Sequence, residues 1–155
     1  MNGGAECWGD NTIGELGSDS TTQGLVPVRI SGLTSAVTAI AAGAEHACAV
    51  VNGATQCWGN NAYGELGNNS STNESNVPVP VIGLTSGVTT IAAGAYFTCA
   101  IVNGSAQCWG AGVLGNNSTT SSNVPVSVTG LTTGASAITV GAGPSDLAPA
   151  PASRW

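Results

Sequence analysis

The stretch from His46 to Gly59, "HACAVVNGATQCWG", collects the residue types that thiol and metal chemistry use. His46 stands two positions before Cys48, on the same face of an extended strand. An imidazole so placed can activate a thiol as a nucleophile, and cysteine with histidine is also a zinc donor set. Two observations weigh against both. Zinc sites pair cysteines two to four residues apart, whereas eight residues separate Cys48 from Cys57. Further on, the same pattern returns with Phe97 in place of His46, so a histidine-dependent chemistry would exist once in a repeated motif. Glu15 and Glu65 of the two "GELG" stretches lie about 50 residues apart in equivalent loops, which suits carboxylates bracing their own loops better than an acid–base pair. Loop asparagines and aspartates show no calcium-loop spacing. The expectation is therefore no catalytic residue, no metal and no cofactor.

A structural role for the cysteines follows from a turn. Asn52-Gly53 between two apolar runs is a type I′ hairpin signal, because both central residues need positive φ. Cys48 lies four residues before Asn52, and Cys57 lies four after Gly53. They are directly opposite, at a non-hydrogen-bonded pair where side chains come closest. Cys99 and Cys108 stand in the same relation to Asn103-Gly104. Two disulfides are expected, Cys48–Cys57 and Cys99–Cys108, each closing a ten-residue loop and removing unfolded-state entropy of about 2.7 kcal/mol. Reduced, the same residues would serve as small apolar core groups. Cys7 aligns with Cys57, and its partner would stand before Met1, which leaves a thiol able to pair between chains.

The elements that carry these hairpins repeat. "CWGDNTIGELG" at 7–17 returns at 57–67 as "CWGNNAYGELG" and at 108–115 as "CWGAGVLG". "VPVRISGLT", "VPVPVIGLT" and "VPVSVTGLT" form a second series, and "VTAIAAG" with "VTTIAAG" a third. Each unit reads as four short strands: an apolar run ending in glycine, the two hairpin strands, and a proline-bearing strand suited to a sheet edge. Four strands in about 50 residues, repeated, is a propeller blade. The expected fold is all-β, an open arc of about three four-stranded blades, incomplete at both ends, with repeat units at 7–56, 57–107 and 108–143. Residues 144–155 leave the repeat pattern and read as an aberrant or disordered tail, the mark of a shifted reading frame or an artificial end. Trp8, Trp58 and Trp109 recur at one place in the unit, where packing between neighbouring blades is the expected use. An arc that does not close exposes blade faces and strand edges, so marginal stability or self-association, through those edges or through Cys7, is expected.

The motif V-x-x-I-A-A-G-x-x-H-x-C-A-V, the Asn-Gly turn and C-W-G-x-N-x-x-G-E-L-G resemble the repeat of the regulator of chromosome condensation family over nearly the whole chain. That resemblance implies a propeller of seven blades in a full ring, with loops on one face that commonly bind partner proteins. The family spans guanine-nucleotide exchange factors for a small GTPase and a propeller-type β-lactamase inhibitor, so fold alone does not choose a function.

Composition narrows the choice. The 155 residues carry two Lys and Arg together against eight acids, for a net charge of −6. Two arginines, Arg29 and Arg154, cannot neutralise a nucleic-acid backbone or an anionic membrane surface. No apolar run reaches the roughly 20 residues of a spanning helix. The start lacks a signal-peptide pattern, but paired cysteines suit an oxidising, extracellular or cell-surface setting. Asn-x-Ser/Thr triplets such as those at Asn68 and Asn116 arise easily in so Asn- and Ser-rich a sequence. The frame "GA..": "GAEHA" against "GAYFT" is where contents vary most, which makes Glu45, His46, Tyr96 and Phe97 the candidate protein contacts. The function expected is a non-catalytic protein-binding or scaffold module of a secreted or surface propeller. The alternatives are an exchange-type regulator of a small GTPase and, behind it, a propeller hydrolase or lyase.

Overall fold

A computed structural model of the chain describes residues 3–141. Ten strands form three antiparallel sheets, and no helix occurs among the described residues. The first sheet pairs β1 (Glu6–Gly9) with β2 (Gly24–Arg29). The second runs in order β3 (Val37–Ala42), β4 (His46–Val51), β5 (Ala54–Asn60), β6 (Glu74–Pro80). The third repeats it with β7 (Val88–Ala93), β8 (Phe97–Val102), β9 (Ser105–Gly110) and β10 (Ser122–Ser127). Each four-stranded sheet is a simple meander and hence one blade; the molecule is a partial propeller. The sequence units counted from each CWG are offset from these sheets, since each CWG ends the third strand of a blade. The tail expected at 144–155 lies outside the described residues.

Turn chemistry sets the register. Asn52 and Gly53 adopt φ of 51° and 76°, and Asn103 and Gly104 adopt 50° and 77°, the left-handed pair a type I′ turn demands. The turns place Cys48 opposite Cys57 and Cys99 opposite Cys108, with Cα separations of 4.0 and 4.1 Å and sulfurs at disulfide distance. Cys7 has no such partner among the described residues. Pro27, Pro78 and Pro125 all fall on the last strand of a sheet, where a missing N–H leaves no broken ladder.

The blades join through the tryptophans. The Trp58 indole N–H donates to the Glu15 carbonyl at 2.7 Å, and Trp109 donates to the Glu65 carbonyl at 2.7 Å. Each indole thus crosses from its own blade to the "GELG" loop of the blade before it. Both rings are buried, Trp58 with Ile30, Leu33 and Ala49, Trp109 with Leu66, Val81 and Leu84. A Cβ on Gly17 would stand 2.9 Å from the Trp58 ring, and one on Gly67 2.9 Å from the Trp109 ring. Only glycine tolerates this approach at φ of +63° and +59°. Trp8 occupies the same place in the first sheet and is 66% exposed.

The receiving loop is held by asparagine. Asn11 Oδ1 accepts from the Leu16 N–H at 2.9 Å while its amide donates to the Ser20 and Thr22 carbonyls. Asn61 makes the same bridge to Leu66 and Thr72. The carboxylates brace the loop too: Glu15 accepts from the Ile13 N–H at 2.9 Å and Glu65 from the Tyr63 N–H at 2.8 Å.

These contacts rank two substitutions. Trp109→Phe removes a buried hydrogen bond and strands the Glu65 carbonyl, for an expected loss of about 1–3 kcal/mol. Trp8→Phe in the dilute monomer is expected to change stability by about 0.5 kcal/mol or less. Urea unfolding of both variants checks the order, and equal losses would contradict the inter-blade role. Gly67→Ala combines positive φ with overpacking and is expected to cost about 2–4 kcal/mol in the same assay.

Candidate functional site

Two loops of each blade gather on one face: the connection from first to second strand and the one from third to fourth. In the second blade, Asn60 joins them, its N–H donating to the Glu45 carbonyl and its amide to Glu45 Oε2, both at 2.8 Å. Across the blade boundary Tyr63 meets Tyr96, ring centroids 5.6 Å apart at 71°, an edge-to-face pair. Tyr63 is 54% exposed and Tyr96 half-buried. Beside Tyr63 opens a cleft of about 450 Å³ lined by Asn61, Ser70, Asn73, Ser122 and Asn123. This is a polar, hydroxyl- and amide-rich surface with an aromatic centre.

The sequence-expected contacts divide. Glu45 is exposed and Tyr96 reaches the surface. His46 does not; it is buried between the second and third blades, and its place as a surface contact is corrected. Its ring lies beneath Gly43, where a side chain would collide with it. His46 Nε2 and Thr98 Oγ1 of the next blade share a 2.8 Å hydrogen bond. Phe97, its counterpart, likewise folds under Gly94 and packs toward Cys99, Cys108 and Leu114, so it too is drawn away from solvent. The physical reason is alternation: the residue beginning the second strand points between blades, and the residue before it points outward. Tyr63 was missed by the sequence reading. Its signal was the variable place before "GELG", occupied by Ile13 in the first unit.

Two buried ionisable groups accompany this face. Burial pulls the His46 pKa down to about 4, and His46 Nδ1 has no partner among the described residues. Burial pushes the Glu65 carboxyl up, opposed by the Glu65 and Tyr63 backbone N–H groups and aided by the nearby Glu45 charge. Glu65 Oε1 is also unpartnered among the described residues. Among the described residues no three of His, Cys, Asp and Glu are grouped to hold one metal ion. The four paired cysteines lie in the blade interior, with Cys48 Sγ 3.8 Å from the Thr98 hydroxyl that also meets His46.

His46 sets a pH dependence. Its folded pKa lies below the unfolded value of 6.5, so the unfolded chain binds the extra proton first. Stability is fully present above pH 6.5 and is lost as pH falls toward about 4, by at most about 3 kcal/mol. His46→Phe, the residue of the next unit, is expected to remove the part of this slope between pH 6.5 and 5, as read by urea midpoints. An unchanged slope would contradict the buried neutral ring.

Likeness to known proteins agrees with this geometry. The family described as Regulator of chromosome condensation (RCC1) repeat matches residues 3–50 and 52–101. No curated protein matches the chain significantly. Among solved structures, human WBSCR16 aligns with TM-score 0.72 and 24% identity over 81% of this chain and 33% of that one. Yeast RCC1 (Prp20) bound to Kap60 aligns with TM-score 0.69 and 21% identity over 79% of this chain and 32% of that one. A second structure of Prp20p from Saccharomyces cerevisiae, described with its binding to Gsp1p and histones, aligns with TM-score 0.69 and 21% identity over 79% and 33%. The chain therefore spans about a third of the length of these structures. With two successive repeats matched by the family and a partial propeller in space, this chain belongs to the regulator of chromosome condensation repeat family.

Proposed function

We propose that the chain is a non-catalytic protein-binding or scaffold module, and that the loop face built on Tyr63 and Tyr96 is its contact surface. The observation that carries this reading is the edge-to-face tyrosine pair joining two blades at the surface, beside a polar cleft. Tyrosines fixed by one another lose little entropy on binding and are frequent interface anchors. Glu45, held by Asn60, adds a carboxylate at the rim. His46 and Phe97 support the loops from below. Prp20p, whose structures are described with Kap60, Gsp1p and histones, lends general support to a protein partner. An exchange-type activity toward a small GTPase is the second reading, favoured by that likeness alone.

The cysteine geometry supports a setting outside the reducing cytosol, secreted or at a cell surface. Both pairs are buried and stand directly opposite each other in the sheet register, an arrangement that suits proteins folding under oxidising conditions.

Two experiments test these readings. Tyr63→Ala with Tyr96→Ala is expected to weaken capture of a partner by about tenfold or more while leaving the melting temperature nearly unchanged; full binding by the double variant would contradict the site. Thiol titration of the unfolded, unreduced chain from its native source should find one reactive thiol of the five cysteines, Cys7. Five reactive thiols would overturn the disulfide and compartment proposal together.

A further inference from the structure

We infer that the cleft beside Tyr63 is a binding site for a neutral saccharide. It opens at the boundary of the second and third blades and holds about 450 Å³, inside the ordinary range of about 300–1,000 Å³ for small-ligand clefts. One wall is the loop between β5 and β6, with Tyr63, Ser70, Ser71 and Asn73; the other is the start of β10, with Ser122 and Asn123. Backbone bonds fix both walls. The Asn73 carbonyl accepts from the Asn61 N–H at 2.7 Å, and the Asn123 carbonyl accepts from the Asn69 N–H at 3.1 Å. Gly64 brings the walls together: at its φ of +87° a Cβ would lie only 2.6 Å from the Asn123 Cα. Asn61, buried below, ties the loop by donating its amide to the Thr72 carbonyl at 2.8 Å. Ser71, Asn73 and Asn123 are left exposed above.

The lining chemistry selects the ligand. No charged side chain lines the cleft, so an anion or a cation would lose hydration without gaining a counter-charge. Beyond Tyr63 and Ala62 the walls offer little carbon, which disfavours an apolar ligand. Serine hydroxyls and asparagine amides each donate and accept hydrogen bonds. The matching ligand is uncharged, carries many groups that also donate and accept, and has a C–H face for the one aromatic wall. A sugar ring meets all three conditions. Tyr63, 54% exposed and set by its edge-to-face contact with Tyr96, presents a fixed ring to that C–H face.

The boundary between the first and second blades supplies an internal comparison. There Ile13 stands in place of Tyr63, and Glu74 in place of Ser121, another lining residue. That copy lacks the aromatic ring and carries a charge, while its backbone joint is the same, with the Asp19 N–H given to the Asn76 carbonyl at 3.0 Å. Ser20, Thr21 and Gln23 match Ser70, Ser71 and Asn73 in exposure, and Glu74 and Ser75 match Ser121 and Ser122, although a third blade follows that boundary. A following blade therefore leaves this place open. The saccharide site needs the cleft and Tyr63 but no partner protein, so it stands apart from the protein-contact role.

NMR of the full, isotopically labelled chain, titrated to millimolar levels with neutral hexasaccharides of glucose, mannose, xylose and N-acetylglucosamine, tests this. At least one sugar is expected to shift the amides of Tyr63, Ser71, Asn73 and Asn123 saturably. Tyr63→Ile with Ser121→Glu gives the cleft the contents of the first boundary, and should weaken that binding about tenfold or more at an unchanged melting temperature. Asn73→Asp alone, isosteric and exposed, sets a charge in the cleft and should weaken it likewise. The probes contain no protein, so the result is separate from that of partner capture. No saturable shift with any of these sugars, shifts confined to residues away from the cleft, or full binding by the variants overturns the proposal.

Discussion

The indole N–H of Trp58 and Trp109, given to a loop carbonyl of the preceding blade, is the constraint on which the arrangement rests. A blade of small residues has little apolar area to bury, and its sheets of Val, Ala, Thr and Gly would slide without a directional contact. A buried indole supplies both a large apolar surface and one bond whose direction fixes the angle between sheets. The rest of the loop exists to hold that carbonyl in place. Asn11 or Asn61 pins the loop from inside, Leu16 or Leu66 anchors it in the core, and Gly17 or Gly67 clears room for the ring.

The hairpin cysteines complement this from within the sheet. A non-hydrogen-bonded cross-strand pair holds the central strands of each blade at fixed register, while the indole holds one blade against the next. The first acts through chain entropy in the unfolded state and the second through burial and hydrogen bonding in the folded one. Together they let a chain with few charged residues and modest side chains keep a defined shape, and they free the loop face to vary. Tyr63 and Tyr96 occupy such variable places, on a scaffold that does not need them.

Much of this was legible in the sequence because the repeat reports its own geometry. Asn-Gly turns fixed which residues face each other, so Cys48 against Cys57 followed from counting alone. The recurrence of CWG at one place in each unit indicated packing between blades. What escaped was the direction of side chains at element boundaries. His46 and Tyr63 are both polar-capable residues beside loops, yet one is buried against Thr98 and the other stands in solvent. His46 begins β4 and points inward, whereas Tyr63 lies in the turn beyond the end of β5, and sequence marks such boundaries only to within a residue or two. The burial of Glu65 escaped for a different reason: Glu15 shares its motif, its backbone bond and its indole cover from the following blade, yet stays only partly buried.

The most direct test of the central joint is hydrogen exchange at the tryptophan indole N–H groups, assigned by single Trp→Phe variants and followed by NMR at a dilution where the chain is monomeric. The account predicts that Trp58 and Trp109 exchange only with opening of the blade boundary, orders of magnitude more slowly than exposed Trp8. Indole protons of Trp58 and Trp109 that exchange as fast as that of Trp8 would contradict it.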